Sequence, residues 1–226
     1  MIRTQACAMA LFCAAVSQTF ASDISGQIIL QKRNAEKTVV AAVYDLRGVA
    51  LSSRQPATQT ANPYDRVAIW LESKTPVAAP PTKAVMRQRN RTLDPSLLVI
   101  PVGSTVDFPN LDPIFHNIFS LSRTQSFDLG YYPEGRSRSI NFSRPGIVQV
   151  YCHIHPNMYG AIVVTESRWF GKPLEDGSFV WHDVPPGAYR LCVWQKSAGI
   201  AHKAIEVPGA GVVQVNVSIP DVDPEN

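Results

Sequence analysis

The sequence predicts an all-β protein of the sandwich class, and three observations support this class. Apolar and polar residues alternate in several short segments, turns rich in glycine and proline separate these segments, and no segment has the 3.6-residue period of a convincing helix. The clearest case is residues 211–220, "GVVQVNVSIP", where one face carries Val213, Val215, Val217 and Ile219 and the other carries Gln214, Asn216 and Ser218. This period of two is typical of a half-buried strand.

Six other segments of similar character are predicted to be strands: residues 66–73, 96–102, 104–108, 146–152, 160–165 and 188–194. Turn residues lie between them, for example Gly103 with Ser104, and Asp176 with Gly177. Many short strands with regular turns favour a β-sandwich, and the length of the chain fits one or two such units.

Changes in composition divide the chain into four parts. Residues 1–21 are predicted to be a signal peptide. Residues 22–83 hold N-terminal strands and linkers, including the loop-like stretches 53–64 and 74–83. These strands either complete the second β-sandwich or cover the first, and the sequence alone leaves both arrangements open. Residues 84–166 and 167–226 are predicted to form two β-domains.

The N-terminal segment has the features of a secretory signal, with Arg3 followed by an apolar run from about Ala6 to Val16. It is too short for a membrane span and no second apolar stretch follows, so we expect an exported, periplasmic protein. A lipoprotein modified at Cys13 is a weaker alternative because Phe12 precedes that cysteine. Removal of the segment leaves a formal charge of +2, which does not suggest nucleic acid as a partner.

The stretch "YCHIHPNM", residues 151–158, concentrates chemistry that is rare elsewhere in the chain. After the signal peptide only two cysteines remain, Cys152 and Cys192, and only two methionines, Met86 and Met158. A thioether is a poor ligand for zinc and a good soft ligand for copper. Cysteine, histidine and methionine together therefore indicate a copper redox site.

Strand alternation predicts how these side chains converge. In "GIVQVYC" the pattern that buries Val150 also directs Cys152 inward. His155 can meet that sulfur only if the chain turns after the cysteine, and Pro156 makes such a turn plausible.

A trigonal copper centre needs a second histidine. His116, in "FPNLDPIFHNIFS", is the candidate because it follows the strand predicted at 104–108. Asn117 beside it offers a side-chain amide that could join the two ligand loops and support ligand orientation.

The motif "FPNLDPIFHN", followed after a strand pair by "VYCHIHPNM", resembles the ligand pattern of the cupredoxins, the plastocyanin and amicyanin family, over roughly residues 84–166. The spacing from cysteine to histidine to methionine is similar to the shorter amicyanin loop. The resemblance implies a Greek-key β-sandwich that holds one type 1 (blue) copper, shuttles single electrons between redox protein partners and is not an enzyme. It implies His116, Cys152 and His155 as equatorial ligands and Met158 as the weak axial ligand.

Residues 175–194, "EDGSFVWHDVPPGAYRLCVW", resemble the carboxypeptidase regulatory, transthyretin-like β-domain. With the cupredoxin-like segment before it, the chain is similar to bacterial exported proteins described as plastocyanin-like or as methylamine utilisation proteins. The resemblance therefore implies a second, small β-sandwich after the copper site.

Several alternatives stay open. His116, His153 and His155 could form a zinc or type 2 copper site without sulfur. A Cys152–Cys192 disulfide would remove the thiolate from the copper site. Copper storage or delivery is another function class, and a structural β-protein with a vestigial site is a third.

The remaining histidines and the second cysteine are expected to have ordinary roles. His153 is predicted to be a surface imidazole, although it could also admit electrons or join a second metal site. His182 and His202 have no ligand-like neighbours along the sequence, and Cys192 is expected to be a small, unreactive thiol.

Apolar residues are expected to ring the ligand loops: Pro113, Ile114, Phe115, Pro156 and Tyr159. They either pack beneath the loops or form a docking patch for a redox partner.

Overall fold

The computed structural model describes residues 21–32 and 62–221 of the chain. The predicted signal peptide lies outside these residues except for Ala21. Within the described ranges, the regular structure is β-strand apart from one 3-10 helix at Pro63–Arg66, so the all-β prediction is confirmed. None of the described residues belongs to a helix long and apolar enough to cross a membrane.

The first sandwich is formed by strands β3 to β12. One sheet has the order β10-β7-β3, the other has the order β6-β12-β11-β8-β9, and a hairpin of β4 and β5 lies beside them. Their bounds are β3 Lys83–Val85, β4 Arg87–Arg89, β5 Thr92–Asp94, β6 Leu97–Pro101, β7 Ser104–Pro109, β8 His116–Leu121, β9 Ser126–Tyr132, β10 Ser137–Phe142, β11 Gly146–Tyr151 and β12 Tyr159–Thr165.

Alternation in these strands places one face of each sheet in a shared core. In β7 the buried positions are every second residue, including Val106 and Phe108. They pack with Phe142 of β10 and with Ile118 and Val148 from the opposite sheet. Burial of these side chains is the main favourable term that holds the two sheets face to face.

The second sandwich also has two sheets, ordered β14-β1-β17 and β13-β2-β15-β16. Its strands are β1 Ser22–Lys32, β2 Val67–Glu72, β13 Phe170–Gly171, β14 Ser178–Val184, β15 Gly187–Gln195, β16 Gly199–Val207 and β17 Val212–Asp221. Strand β1 pairs in parallel with β17 and antiparallel with β14, while β2 pairs with β15. The described strands before residue 83 therefore complete the second sandwich, and the first sandwich is inserted between β2 and β13.

Strands β2 and β12 are buried on both faces because the two sandwiches pack against each other. In β2, Ile69 faces the core of the second sandwich, whereas Trp70 faces the other sandwich. In β12, Ile162 faces the first core and Ala161 faces Trp70 and its neighbours. Two-sided burial explains why "VAIWL" and "GAIVV" are continuous apolar runs instead of alternating patterns.

Candidate metal centre

Three of the predicted ligands meet at one end of the first sandwich. The sulfur of Cys152 lies 3.8 Å from Nδ1 of His116 and 3.7 Å from Nδ1 of His155. The candidate ligand atoms of the three residues all lie within 4.8 Å of one another, and the two imidazole rings meet edge to face with centroids 4.8 Å apart. Among the described residues this is the one group of three such side chains that could hold a metal ion.

The local sequence explains the convergence. Strand β11 ends at Tyr151, so Cys152 keeps the inward direction of the strand and is 5% exposed. The chain then turns, and the backbone N–H of Met158 donates to the carbonyl of His155 at 2.9 Å. This closed turn brings His155 back over the sulfur before β12 begins.

Met158 is fully buried and belongs to the same core cluster as Cys152. The side chain of Met158 therefore points into the core of the first sandwich, as the side chain of Cys152 does. His116, at the start of β8, is also fully buried.

The separations fit a shared metal ion. With the bond lengths typical of zinc, about 2.3 Å to sulfur and about 2.0 Å to imidazole nitrogen, two ligands in a trigonal plane lie about 3.7 Å apart. The observed sulfur to nitrogen distances, 3.8 and 3.7 Å, match this value. Two imidazoles with one thiolate and a thioether nearby are the donor set of type 1 copper.

Asp112 fixes the orientation of the His116 ring, and sequence reasoning missed it. Its Oδ2 lies 2.8 Å from Nε2 of His116. A proton on Nε2 that is donated to this carboxylate leaves Nδ1 with a free lone pair directed at Cys152. The available signal was an acid four positions before the histidine in "NLDPIFHN".

Backbone groups hold Asp112 in turn. The N–H groups of Asn90 and Arg91 donate to its two oxygens at 2.6 and 2.9 Å. Burial would raise the pKa of Asp112, but the bonds from Arg91, His116 and Asn90 outweigh it and hold that pKa below its usual value. The carboxylate therefore stays charged beside His116.

His155 is the ligand nearest to solvent, being only partly buried. Burial, followed by unfavourable electrostatic interactions with His116 and Arg91, lowers its pKa, while Asp112 opposes this shift. A neutral imidazole is the form that binds a metal, so these surroundings favour the ligand state.

Asn117 contacts β9, and the hydrogen bond from its side-chain amide goes to Asp128 instead of to the cysteine loop. Its Nδ2 donates to Oδ1 of Asp128 at 2.5 Å, and Oδ2 of Asp128 lies 3.5 Å from Nε2 of His153. Asp128 thus links the residue after His116 to the residue after Cys152. The hydrogen bond from the Gly130 N–H has the largest effect on Asp128 and lowers its pKa. The side chains of Asn117 and His153 lower this pKa further, while desolvation opposes the shift.

His153 lies outside the group of three. Its ring stacks on Phe119 with centroids 3.8 Å apart and an interplanar angle of 4°, and its side chain is 44% exposed. The histidine-only site would need this ring beside those of His116 and His155, and the stack directs it elsewhere.

The disulfide alternative is contradicted, because both described cysteines are free. Cys192 lies between the sandwiches and is fully buried. His182 and His202 are both exposed, as surface histidines are, but Nδ1 of His202 also lies 3.3 Å from the Cys192 sulfur because β15 and β16 pair these two residues directly. His182, by contrast, pairs with Asp23 at 2.9 Å on the surface.

No protein-family model and no curated protein sequence matches the chain. Similar solved structures include a copper-containing nitrite reductase from Thermus scotoductus, 28% identical over 40% of this chain and 25% of that chain, with a TM-score of 0.36. A purple cupredoxin from Nitrosopumilus maritimus is 28% identical over 37% of this chain and 99% of its own, with a TM-score of 0.34.

A reduced mutant of amicyanin is 21% identical over 43% of this chain and 98% of its own, with a TM-score of 0.35. The chain thus spans about a quarter of the nitrite reductase and nearly all of the other two proteins. Part of this chain is similar to cupredoxin structures.

Proposed function

We propose that this protein binds one copper ion between His116, Cys152 and His155, with Met158 as the weak axial ligand, and passes single electrons between redox partner proteins. The observation that carries the proposal is the position of the Cys152 sulfur, 3.8 and 3.7 Å from two imidazole nitrogens. We assign no catalytic residue, and we propose export to the periplasm from the N-terminal segment.

Bound copper would supply one-electron chemistry by cycling between Cu(II) and Cu(I). The residues supply a site that needs little movement. His116 is held by Asp112, and the turn that carries His155 is closed by the Met158 N–H. Because both ligand segments are anchored, the two oxidation states can share nearly the same surroundings, which favours fast transfer.

Burial of the sulfur and exposure of one imidazole have different roles. Cys152 and His116 lie inside the sandwich and keep water from the site. His155 is the partly exposed ligand and offers the shortest path to a partner protein. We further propose that the second sandwich is the transthyretin-like unit that residues 175–194 resemble.

A visible spectrum of the purified protein after Cu(II) addition tests the proposal. We expect an intense band from thiolate-to-copper charge transfer that is lost in Cys152→Ser and kept in the matched control Cys192→Ser. A faintly coloured copper complex that is unchanged in Cys152→Ser would contradict the proposal and favour a site made of histidines. No copper binding by the unaltered chain would favour a structural role.

A further inference from the structure

Arginines surround the end of the first sandwich that carries His155. Arg89 and Arg91 lie on the β4–β5 hairpin, and Arg136 and Arg138 lie at the start of β10. All four side chains are exposed. We call these four residues the arginine rim.

The ligand loops at the same end of the sandwich carry exposed apolar side chains. Leu111 is 44% exposed, Phe115 57% and Ile154 46%. Phe115 precedes the ligand His116, and Ile154 precedes the ligand His155. Large apolar side chains grouped around a partly exposed ligand are typical of a protein contact surface.

Arg91 is fixed in place by an unusual turn. Asn90 and Arg91 have φ values of 54° and 57°, which is the type I′ geometry of a two-residue hairpin. A left-handed conformation is unfavourable for an arginine. The bonds from both N–H groups to Asp112 compensate for this, so the carboxylate that orients His116 also positions the backbone of Arg91.

The hairpin and the ligand loop are also joined directly. The N–H of Leu111 donates to the carbonyl of Gln88 at 2.9 Å. Beside this contact is a surface pocket of about 290 Å³ lined by Asn90, Arg91, Asp112, Pro113 and Ile114. Its wall combines two apolar side chains with the guanidinium of Arg91 and the carboxylate of Asp112, whose oxygens already accept hydrogen bonds from the backbone.

The other half of the rim is anchored to the loop before His116. The N–H of Asn110 donates to the carbonyl of Arg136 at 2.8 Å. The guanidinium of Arg138 lies 5.2 Å from the ring centroid of Tyr132, which pairs with His116 across β8 and β9. These contacts hold the positive charges close to the ligands.

The positive charge of the rim is not cancelled within the described part of the chain. There, Arg190 is the only arginine that forms an ion pair, with Glu72 of the second sandwich. Asp112 and Asp128 lie near the rim but are occupied by His116, His153 and backbone N–H groups. Glu134 is the exposed acid on the turn between β9 and β10. Clustered cations around an apolar centre attract a surface of opposite charge and speed its association.

We propose that the arginine rim docks an acidic redox protein, which places an acidic edge on the arginines and an apolar centre over Phe115 and Ile154. This inference rests on the proposed electron-transfer function and specifies its partner. Copper held by His116, Cys152 and His155 would supply the one-electron chemistry: the partner would give up or accept one electron at the exposed edge of His155, and no bond would form or break.

The first experiment needs no copper. A hexaglutamate peptide is added to the metal-free, isotope-labelled chain at about 10 mM ionic strength, where screening is weak. We expect concentration-dependent amide shifts confined to residues 89–91, 111–116 and 136–138, which vanish at 0.5 M salt. Shifts spread over both sandwiches, or none, would overturn the docking proposal without affecting the copper proposal. Equal shifts at the rim with anionic phospholipid vesicles but none with the peptide would overturn it in favour of a membrane surface.

The second experiment uses copper-loaded protein and two outer-sphere reductants of opposite charge, hexacyanoferrate(II) and hexaammineruthenium(II). The variant Arg91→Glu with Arg136→Glu is compared with Arg168→Glu with Lys203→Glu, which makes the same change in net charge away from the ligand loops. We expect about a tenfold slower reaction of the rim variant with hexacyanoferrate(II), and a faster reaction with the cationic complex. Equal changes of rate in the rim variant and in the Arg168→Glu with Lys203→Glu control would overturn the proposal. The rate of the neutral variant, Arg91→Gln with Arg136→Gln, should lie between the rates of the unaltered protein and of the glutamate rim variant. The visible spectrum of this neutral variant reports whether the copper site is intact.

Discussion

Each sandwich contains one buried cysteine whose sulfur lies close to a histidine nitrogen, yet the two thiols differ in what else surrounds them. Cys152 follows the end of a strand, where a returning turn adds a second imidazole at 3.7 Å. Cys192 lies in the middle of β15, where the cross-strand neighbour His202 is at 3.3 Å and the other neighbour is Trp70.

A turn distinguishes the candidate metal site around Cys152 from the buried thiol of Cys192. A regular sheet offers each residue only two lateral neighbours on its own face, so Cys192 gains one imidazole. The turn after Cys152 brings residues three and six positions later back toward the sulfur. The ligand set therefore depends on where the strand ends, and not on the presence of a cysteine and a histidine.

Alkylation of the two thiols tests this comparison with the largest expected effect. Burial, with a contribution from Glu72, raises the pKa of Cys192 to about 12, so about one molecule in 10⁴ carries the thiolate at pH 8. We expect iodoacetamide to modify Cys152 at least 100 times faster than Cys192 in the metal-free protein, as read by peptide mass mapping. Copper should protect Cys152 alone. Similar rates for both thiols would remove the distinction.

The contact between the sandwiches is the next test. Trp194 is 5% exposed and packs with Leu97 and Trp70 in the cluster between them, and Lys196 lies 3.4 Å from the ring centroid of Tyr159. We expect Trp194→Ala to cost about 3 kcal/mol of unfolding free energy. Calorimetry should then resolve two unfolding transitions, one for each sandwich. Copper should raise the midpoint temperature of the first sandwich only. If the Trp194→Ala variant instead shows a single transition whose midpoint temperature copper raises, then contacts other than this cluster couple the two sandwiches.

Each sandwich also has a histidine paired with an aspartate, which provides a matched pair of variants. Asp112→Asn leaves the buried His116 without its charged acceptor, and we expect copper affinity to fall about 10- to 100-fold. Asp23→Asn alters the exposed His182 pair and should leave affinity unchanged. Competition with a copper chelator measures both. An unchanged affinity in Asp112→Asn would mean that the ring is oriented by packing alone.

A further test concerns alkaline pH. The folded pKa of Cys192 is about 12 and lies above its unfolded value of about 8.5, so its thiol contributes stability fully below pH 8.5. That contribution is lost as pH rises from about 8.5 toward 12. We expect the urea midpoint to decline more steeply over this window in the unaltered chain than in Cys192→Ala. Parallel slopes would indicate that the buried thiol does not titrate differently on folding.

The sequence was sufficient for the features that depend on near neighbours. Alternation predicted the strands that became β7, β11 and β17, and the spacing within residues 151–158 predicted which side chains the turn would bring together. Continuous apolar runs in β2 and β12 carried a signal of two-sided burial.

Features that depend on register or on distant pairing could not be predicted. The approach of His202 to Cys192 follows from the alignment of β15 with β16, which a one-residue slip would abolish. Likewise, the two N–H groups that hold Asp112 beside His116 come from the β4–β5 hairpin, about twenty residues earlier in the chain. The assignment of β1 to the second sandwich required its partner β17, far along the chain.

That last pairing has a consequence for the order in which the protein forms during synthesis. Gln27 of β1 donates its N–H to the side chain of Asn216, a partner 189 positions later. The inserted unit contains all of its own strands and can fold by itself, but β1 stays unpaired until β14 and β17 become available. Its open edge is therefore the part of the nascent polypeptide that most needs protection from premature association.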